Sequence, residues 1–128
     1  MPSTSTGRLV VIDDNADLAD LFGSLCDILG YQVHVRYSGQ SGLEAIEEYS
    51  PHVVFCDINM PGMSGLEVAK EVRLRRSLPY TLLVAVTAAS GKTIRDDILL
   101  AGFDLYLAKP TDIQTVALLL RDYFKSIE

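Results

Sequence analysis

Apolar residues along the chain form short unbroken runs that alternate with longer stretches of helical spacing. Three runs, at 9–12, 53–56 and 81–86, are rich in β-branched residues and are each followed by a polar residue. Such runs are typical of strands that are buried on both faces of a parallel sheet. The segments at 32–36 and 104–107 are alternating or brief, which favours strands at the sheet edges.

The segments between these strands carry apolar residues three and four positions apart, which predicts helices. In the first helix the large apolar side chains are expected to face the core: Leu18, Leu21, Phe22, Leu25, Ile28 and Leu29. Further helices are predicted at 39–49, 65–75, 92–101 and 112–126. Strands alternating with helices imply right-handed crossovers, with helices on both faces of the sheet. The pattern therefore predicts a three-layer α/β domain with a five-stranded parallel sheet and five helices, in the strand order 2-1-3-4-5.

The composition narrows the class of protein. The chain has 128 residues, with 48% hydrophobic and 22% charged, which suits one globular domain. Its net charge of -6 argues against a nucleic-acid-binding face, because phosphate contacts need clustered Lys and Arg. No apolar run approaches the roughly 20 residues that span a bilayer, and residues 1–7 do not resemble a signal peptide. We therefore expect a cytoplasmic protein with a flexible tail at 1–7 and a folded domain at 8–128, in which Cys26 and Cys56 are buried thiols.

Polar residues that suit phosphoryl chemistry follow the predicted strands. The first strand ends in Asp13 and Asp14, the third in Asp57 and the fourth in Thr87, and Lys109 follows the fifth. The carboxyl ends of parallel strands meet at one crevice, so these residues are expected to converge. Three carboxylates held close together favour a hard cation such as Mg²⁺, with Mn²⁺ as an alternative. A hydroxyl and an ammonium nearby suit a phosphoryl group.

Each of these residues also has a local explanation. An Asp-Asp-Asn sequence after a strand is a good helix N-cap, and Thr87 and Lys109 are ordinary surface residue types. The functional interpretation rests on the whole set of residues. If each had only a local explanation, their occurrence together at the ends of four strands would be a coincidence.

The motifs Val11-Ile12-Asp13-Asp14-Asn15, Asp57-Ile58-Asn59-Met60-Pro61-Gly62, Thr87-Ala88-Ala89 and Lys109-Pro110 together resemble those of response-regulator receiver domains of two-component systems. The resemblance runs from about Arg8 to the end of the chain, with the motifs in the family's order and spacing. It implies the flavodoxin-like fold of the chemotaxis regulator, which has the same strand order.

The resemblance also implies a role for each matching residue. Asp57 would accept a phosphoryl group from a phosphohistidine, and Mg²⁺ would be bound by Asp14, Asp57 and the backbone carbonyl of Asn59, with Asp13 acting through a water. Lys109 and Thr87 would contact phosphoryl oxygens. Beyond phosphorylation and dephosphorylation of the chain itself, no turnover of an external substrate is expected.

The family further implies a conformational switch and two partner surfaces. Thr87 and Tyr106 occupy the switch positions, and the Tyr106 ring would turn from exposed to buried after phosphorylation. On the first helix, a strip of small residues is expected to meet a histidine kinase or phosphotransfer domain: Ala16, Ala19, Gly23 and Cys26. Leu118 and Leu119 suggest a dimer or effector face on the last helix, next to the fourth.

Two other functions remain open at this point. The first is a pseudo-receiver, a protein-binding scaffold with the same fold and no phosphoryl chemistry. The second is a small hydrolase of external phosphoesters, which the absence of a second acid in Asp57-Ile58-Asn59 disfavours. The sequence leaves undecided whether this receiver acts alone or comes from a hybrid histidine kinase or larger regulator.

Overall fold

The structure is a computed structural model that describes residues 6–75 and 80–128. Within these residues five strands alternate with five helices along the chain. The strands are β1 (Arg8–Ile12), β2 (Gln32–Arg36), β3 (Val53–Asp57), β4 (Leu82–Thr87) and β5 (Leu105–Ala108). The helices are α1 (Ala16–Ile28), α2 (Gly39–Tyr49), α3 (Gly65–Leu74), α4 (Lys92–Ala101) and α5 (Ile113–Ser126). Each predicted element is therefore present, and where its bounds were predicted they differ by at most one residue at either end.

All strand pairs are parallel, and the order across the sheet is β2-β1-β3-β4-β5, as predicted. The register places Asp57 opposite Val86, so that β3 and β4 end side by side. Every residue of β3 and β4 is buried, whereas β2 and β5 are partly exposed at the two edges. Continuous apolar runs thus mark the central strands, because both of their faces are covered by helices.

Two apolar clusters fill the space on either side of the sheet. Alternate residues of each central strand point to opposite clusters: Val54 packs with α2, α3 and α4, and Phe55 packs with α1 and α5. The thiols of Cys26 and Cys56 are buried and unpaired, as the sequence predicts. The two layers of helices hold the sheet rigid and leave its carboxyl edge open for chemistry.

The prediction for the core-facing side of α1 is wrong for most of its residues, although Phe22 does pack against the core beside Phe55. The buried residues of this helix are Ala19, Gly23 and Cys26, three of the four small residues expected to face a partner. A Cβ atom on Gly23 would lie 2.5 Å from Cγ2 of Val35, so α1 lies too close to β2 for large side chains. The leucines and isoleucine are displaced outward, and the exposed large residues are Leu18, Leu21, Ile28 and Leu29.

The start of the chain bears on the predicted flexible tail. Residues 1–5 of that tail lie outside the described residues. Backbone hydrogen bonding along β2 already includes Gly7, whose carbonyl accepts a bond of 2.9 Å from Gln32 N–H. Over the described ranges, none of the helices combines the length and the apolar character needed to cross a membrane.

Candidate functional site

Three carboxylates meet at the carboxyl edge of the sheet. Asp13 and Asp14 follow β1, and Asp57 is the last residue of β3. One oxygen from each lies within 4.8 Å of the others. Asp13 and Asp57 are each 8% exposed, whereas Asp14 faces solvent. Two shielded carboxylates and one accessible carboxylate form a one-sided oxygen site that fits a hydrated Mg²⁺ ion.

Local hydrogen bonds orient the two buried carboxylates. Oδ1 of Asp57 accepts a bond of 2.8 Å from Ile58 N–H, and Oδ1 of Asp13 accepts one of 3.0 Å from Asn15 N–H. The second oxygen of each faces Lys109, whose Nζ lies 2.8 Å from Oδ2 of Asp13 and 3.6 Å from Oδ2 of Asp57. Lys109 therefore lies between the carboxylates and partly offsets their repulsion.

The pKa values of these groups reflect their burial and proximity. Burial, followed by the neighbouring charge of Asp13, raises the pKa of Asp57 despite the opposing effect of Lys109. Burial alone would lower the pKa of Lys109, but its hydrogen bond to Asp13 and the charge of Asp57 raise it overall. The ammonium thus keeps its charge, while the carboxylate at position 57 is destabilised until a cation or a covalent change relieves it.

The fourth strand contributes a buried hydroxyl beside this group. Thr87 is 1% exposed and follows Val86, the register partner of Asp57. Its Oγ1 accepts a bond of 3.1 Å from Ala89 N–H, and its carbonyl accepts one of 2.9 Å from Lys109 N–H. The second bond ties the Lys109 loop to the end of β4, and the Lys109–Pro110 peptide is cis.

The remaining predicted residues, Asn59 and Tyr106, have exposed side chains. Asn59 is exposed in the loop after β3, and Tyr106 lies on β5 with 39% of its surface exposed. The exposed Tyr106 ring borders an open cavity of about 510 Å³ between β5 and α4. Leu99 and Arg95 of α4 also line this cavity.

One feature of the site was missed from the sequence. A groove of about 460 Å³ runs from Asp57 and Lys109 along α1, and its walls are mainly apolar, including Leu18, Leu21 and Phe22. The leucine pattern of α1 carries the signal for this groove, because its helical spacing is the same whether the leucines face the core or a groove.

Comparison with known proteins places this geometry in a family. The family model described as the response regulator receiver domain matches residues 9–121. The chain belongs to this family. It therefore acts in two-component signal transduction, in which receiver domains interact with histidine kinases or phosphotransfer proteins and with effector domains.

Solved structures agree with this assignment. A response regulator receiver domain from Methylobacillus flagellatus is 30% identical, with a TM-score of 0.79, and the match covers 92% of this chain and 98% of that chain. A DNA-binding response regulator of the LuxR family from Staphylococcus aureus is 27% identical, with a TM-score of 0.81 and coverage of 91% and 97%. A receiver domain protein from Methanospirillum hungatei is 24% identical over 95% and 96% of the two chains, with a TM-score of 0.85, and supports the fold alone. The receiver domain's acidic pocket, formed by Asp13, Asp14 and Asp57, fits Mg²⁺ and a phosphoaspartate.

Proposed function

We propose that Asp57 of this receiver domain accepts a phosphoryl group from a phosphohistidine and thereby switches the surface that a partner reads. The observation that carries the proposal is the position of Asp57: a buried carboxylate with Lys109 at 3.6 Å and two other carboxylates around it. An oxygen of Asp57 would attack phosphorus while the phosphorus–nitrogen bond breaks, and its electron pair would remain on the imidazole. The product would be an aspartyl phosphate and an unmodified histidine.

The carboxylates would hold Mg²⁺ during this transfer. Asp14, Asp57 and the backbone carbonyl of Asn59 are the proposed direct ligands, with Asp13 acting through water. When bound, the ion neutralises charge on the transferred phosphoryl oxygens. Mn²⁺ is expected to substitute, because it prefers the same oxygen ligands.

Lys109 and Thr87 would hold the phosphoryl group once it is attached. Lys109 already lies beside Asp57, so it would pair with a phosphoryl oxygen and exchange part of its contact with Asp13. The Thr87 hydroxyl would leave Ala89 N–H and donate to a second oxygen. We propose that this inward movement opens the space into which the exposed Tyr106 ring turns.

Incubation with acetyl phosphate and Mg²⁺ tests the phosphoacceptor directly. Intact-mass measurement is expected to show one added phosphoryl group in the wild type and none in Asp57→Asn. Asp122→Asn is the matched control, because Asp122 is exposed on α5. An unmodified wild type would instead indicate a pseudo-receiver scaffold, and Asp57-dependent turnover of a generic phosphoester would indicate a hydrolase.

We further propose that the donor protein docks on the outer face of α1, through its large apolar residues. Leu18 and Leu21 are 48% and 58% exposed, and the groove that they border leads to Asp57. The residues 16–28 include Asp17, Asp20 and Asp27 and no Lys or Arg. The charge of this face therefore favours a donor helix with apolar residues flanked by basic ones.

Leu21→Arg tests this docking face. The donor in this test is a phosphohistidine-bearing phosphotransfer protein that phosphorylates the wild type. Phosphorylation of the variant by this donor is expected to be about tenfold slower or more. Phosphorylation by acetyl phosphate should be unchanged, because the small donor needs no helix contact. Leu100→Arg, at a position 85% exposed on α4, is the control and should react normally with both donors. An equal loss with both donors in Leu21→Arg would contradict the docking proposal.

The second proposed surface is formed by α4, β5 and α5. Leu99, Leu105 and Tyr106 expose apolar area there, and Leu118 is 50% exposed on α5. We propose that an effector or a second copy of the chain binds this surface, and that the position of the Tyr106 ring controls the binding. We also propose a cytoplasmic location, because the ATP-derived phosphohistidine donors are formed there. Crystals with and without beryllofluoride test the switch, since an unmoved Tyr106 ring would exclude it.

A further inference from the structure

Two helices begin against the segment that follows β3: α3 lies on the backbone of Asp57 and Ile58, and α2 lies on Met63. Gly65 is the first residue of α3, and its N–H donates a bond of 2.9 Å to the carbonyl of Ile58. A Cβ atom on Gly65 would lie 2.1 Å from the carbonyl oxygen of Asp57 and 2.9 Å from Cα of Ile58. No real side chain fits at these distances, and the obstructing atoms are backbone atoms, which cannot rotate away.

Gly39 makes a similar approach from the other side of the same segment. It is the first residue of α2, and a Cβ atom there would lie 2.7 Å from the carbonyl oxygen of Met63 and 2.9 Å from Cβ of Met63. Both glycines have ordinary negative φ angles, unlike Gly62, whose φ is 74°. Close approach, and not conformational freedom, is therefore the physical reason for glycine at positions 39 and 65.

We propose that Gly65 and Gly39 are positioning residues of the Mg²⁺ site: by omitting a side chain, they let α3 and α2 set the location of the segment 57–63 relative to Asp13 and Asp14. This inference rests on the proposed function only in assigning Asp57 and the Asn59 carbonyl to the metal. Restoring an allowed contact at Gly65 requires a movement of about 1 Å, and displacements of that size between reacting groups cost up to about a hundredfold in rate.

The competing explanation is packing alone, in which α3 moves and Asp57 stays in place. Gly23 provides the control, because a Cβ atom there would lie 2.5 Å from Cγ2 of Val35, on the edge strand β2 and outside the segment 57–63. A methyl group at Gly23 overpacks the core against a side chain, and its nearest neighbours are Val33 and Val35 rather than the segment 57–63. The two substitutions thus separate lost stability from lost positioning.

The experiment measures Mg²⁺ binding by calorimetry, and Mn²⁺ binding by electron paramagnetic resonance, in Gly65→Ala, Gly39→Ala and Gly23→Ala. We expect the dissociation constant to rise at least about tenfold in Gly65→Ala and severalfold in Gly39→Ala, because metal sites need ligands held within about 0.5 Å. Gly23→Ala should bind within about twofold of the wild type although it unfolds at lower urea. Unchanged metal affinity in a folded Gly65→Ala would overturn the proposal, and if that variant does not fold, unchanged affinity in Gly39→Ala overturns it.

A metal-free crystal structure of Gly65→Ala separates this inference from the proposed function. We expect the Asp57 carbonyl to move by about 0.5 Å or more relative to Asp13, and unmoved atoms would overturn the inference. If the wild type itself binds neither metal, the proposed function fails. The positioning role is then still decided by the crystal structures, through the displacement of the Asp57 carbonyl in Gly65→Ala or of the Met63 carbonyl in Gly39→Ala.

Discussion

The charge on Asp57 is expected to destabilise the metal-free fold, and Asp57→Asn removes it with little change of shape. The amide oxygen of Asn can still accept the bond from Ile58 N–H that orients the native carboxylate. The repulsion that is removed comes from Asp13 and Asp14, which each place an oxygen within 4.8 Å of Asp57. The substitution therefore isolates an electrostatic term in the free energy of unfolding.

The magnitude follows from the distances. At an effective dielectric of about 20, a charge at that separation repels Asp57 by about 3 kcal/mol, and Lys109 at 3.6 Å attracts it by about 5 kcal/mol. Burial of the charge and the repulsion by Asp13, with a smaller repulsion from the solvent-exposed Asp14, together exceed the attraction by Lys109. We therefore expect Asp57→Asn to raise the free energy of unfolding by about 1 to 2 kcal/mol without metal, or the Tm by about 3 to 10 °C.

Urea unfolding in EDTA, followed by circular dichroism and tyrosine fluorescence, measures this difference. In Mg²⁺ at a hundred times its Kd, the wild type should gain about 2.7 kcal/mol, whereas the variant, which lacks a ligand, should gain much less. The order of stability would then reverse. Asp122→Asn, the same change at an exposed site, should stay within about 0.5 kcal/mol of the wild type.

A metal-free Asp57→Asn that is less stable than the wild type would refute the reasoning. So would an equal response of the two proteins to Mg²⁺. The first result would mean that Lys109 and the local hydrogen bond outweigh the repulsion and burial, and the second that the metal binds elsewhere.

Four further outcomes can be checked, three of them by the same unfolding measurements and one by thiol labelling. Because the native pKa of Asp57 is raised, the wild type loses stability in EDTA as pH rises through that pKa. The difference in free energy of unfolding between Asp57→Asn and the wild type should therefore be near zero below about pH 4 and grow above it. A difference that does not change with pH would contradict this sign. Lys109→Met should have the opposite effect in EDTA at neutral pH, lowering the free energy of unfolding by about 2 kcal/mol. Arg73 donates hydrogen bonds to Asp104 and to the backbone carbonyls of Thr81 and Gly102. Arg73→Met should therefore lower the free energy of unfolding by about 1 to 3 kcal/mol. Burial raises the pKa of Cys26 to about 12, so a thiol reagent should label it only after unfolding, and rapid labelling of the native protein would indicate an open α1.

The fold and the reacting residues could be predicted from the sequence because both depend on short-range patterns. The run at 53–56 reads as a buried strand because both of its faces are covered, and the structure confirms it. Once the strands are parallel, their carboxyl ends share one edge, so the meeting of Asp13, Asp14, Asp57 and Lys109 follows from connectivity. The roles proposed for these four residues, and for Thr87, Asn59 and Tyr106, remain predictions.

The orientation of α1 could not be predicted in the same way. Its small and its large apolar residues both recur at helical spacing, so two stripes compete and hydrophobicity alone favours the leucines. The distance between helix and sheet decides the outcome, since Gly23 lets α1 approach Val35 too closely for leucine. This spacing is set by other elements of the chain.

The sequence by itself determined the layered α/β fold, the strand order and the identity of the polar residues at the strand ends. Only the tertiary structure decided which side of α1 is exposed, how Lys109 divides its contacts between two carboxylates, and how closely Gly65 approaches the backbone of Asp57. The physical reason is that periodicity records which residues avoid water on average, whereas distances between elements depend on how all the side chains pack together.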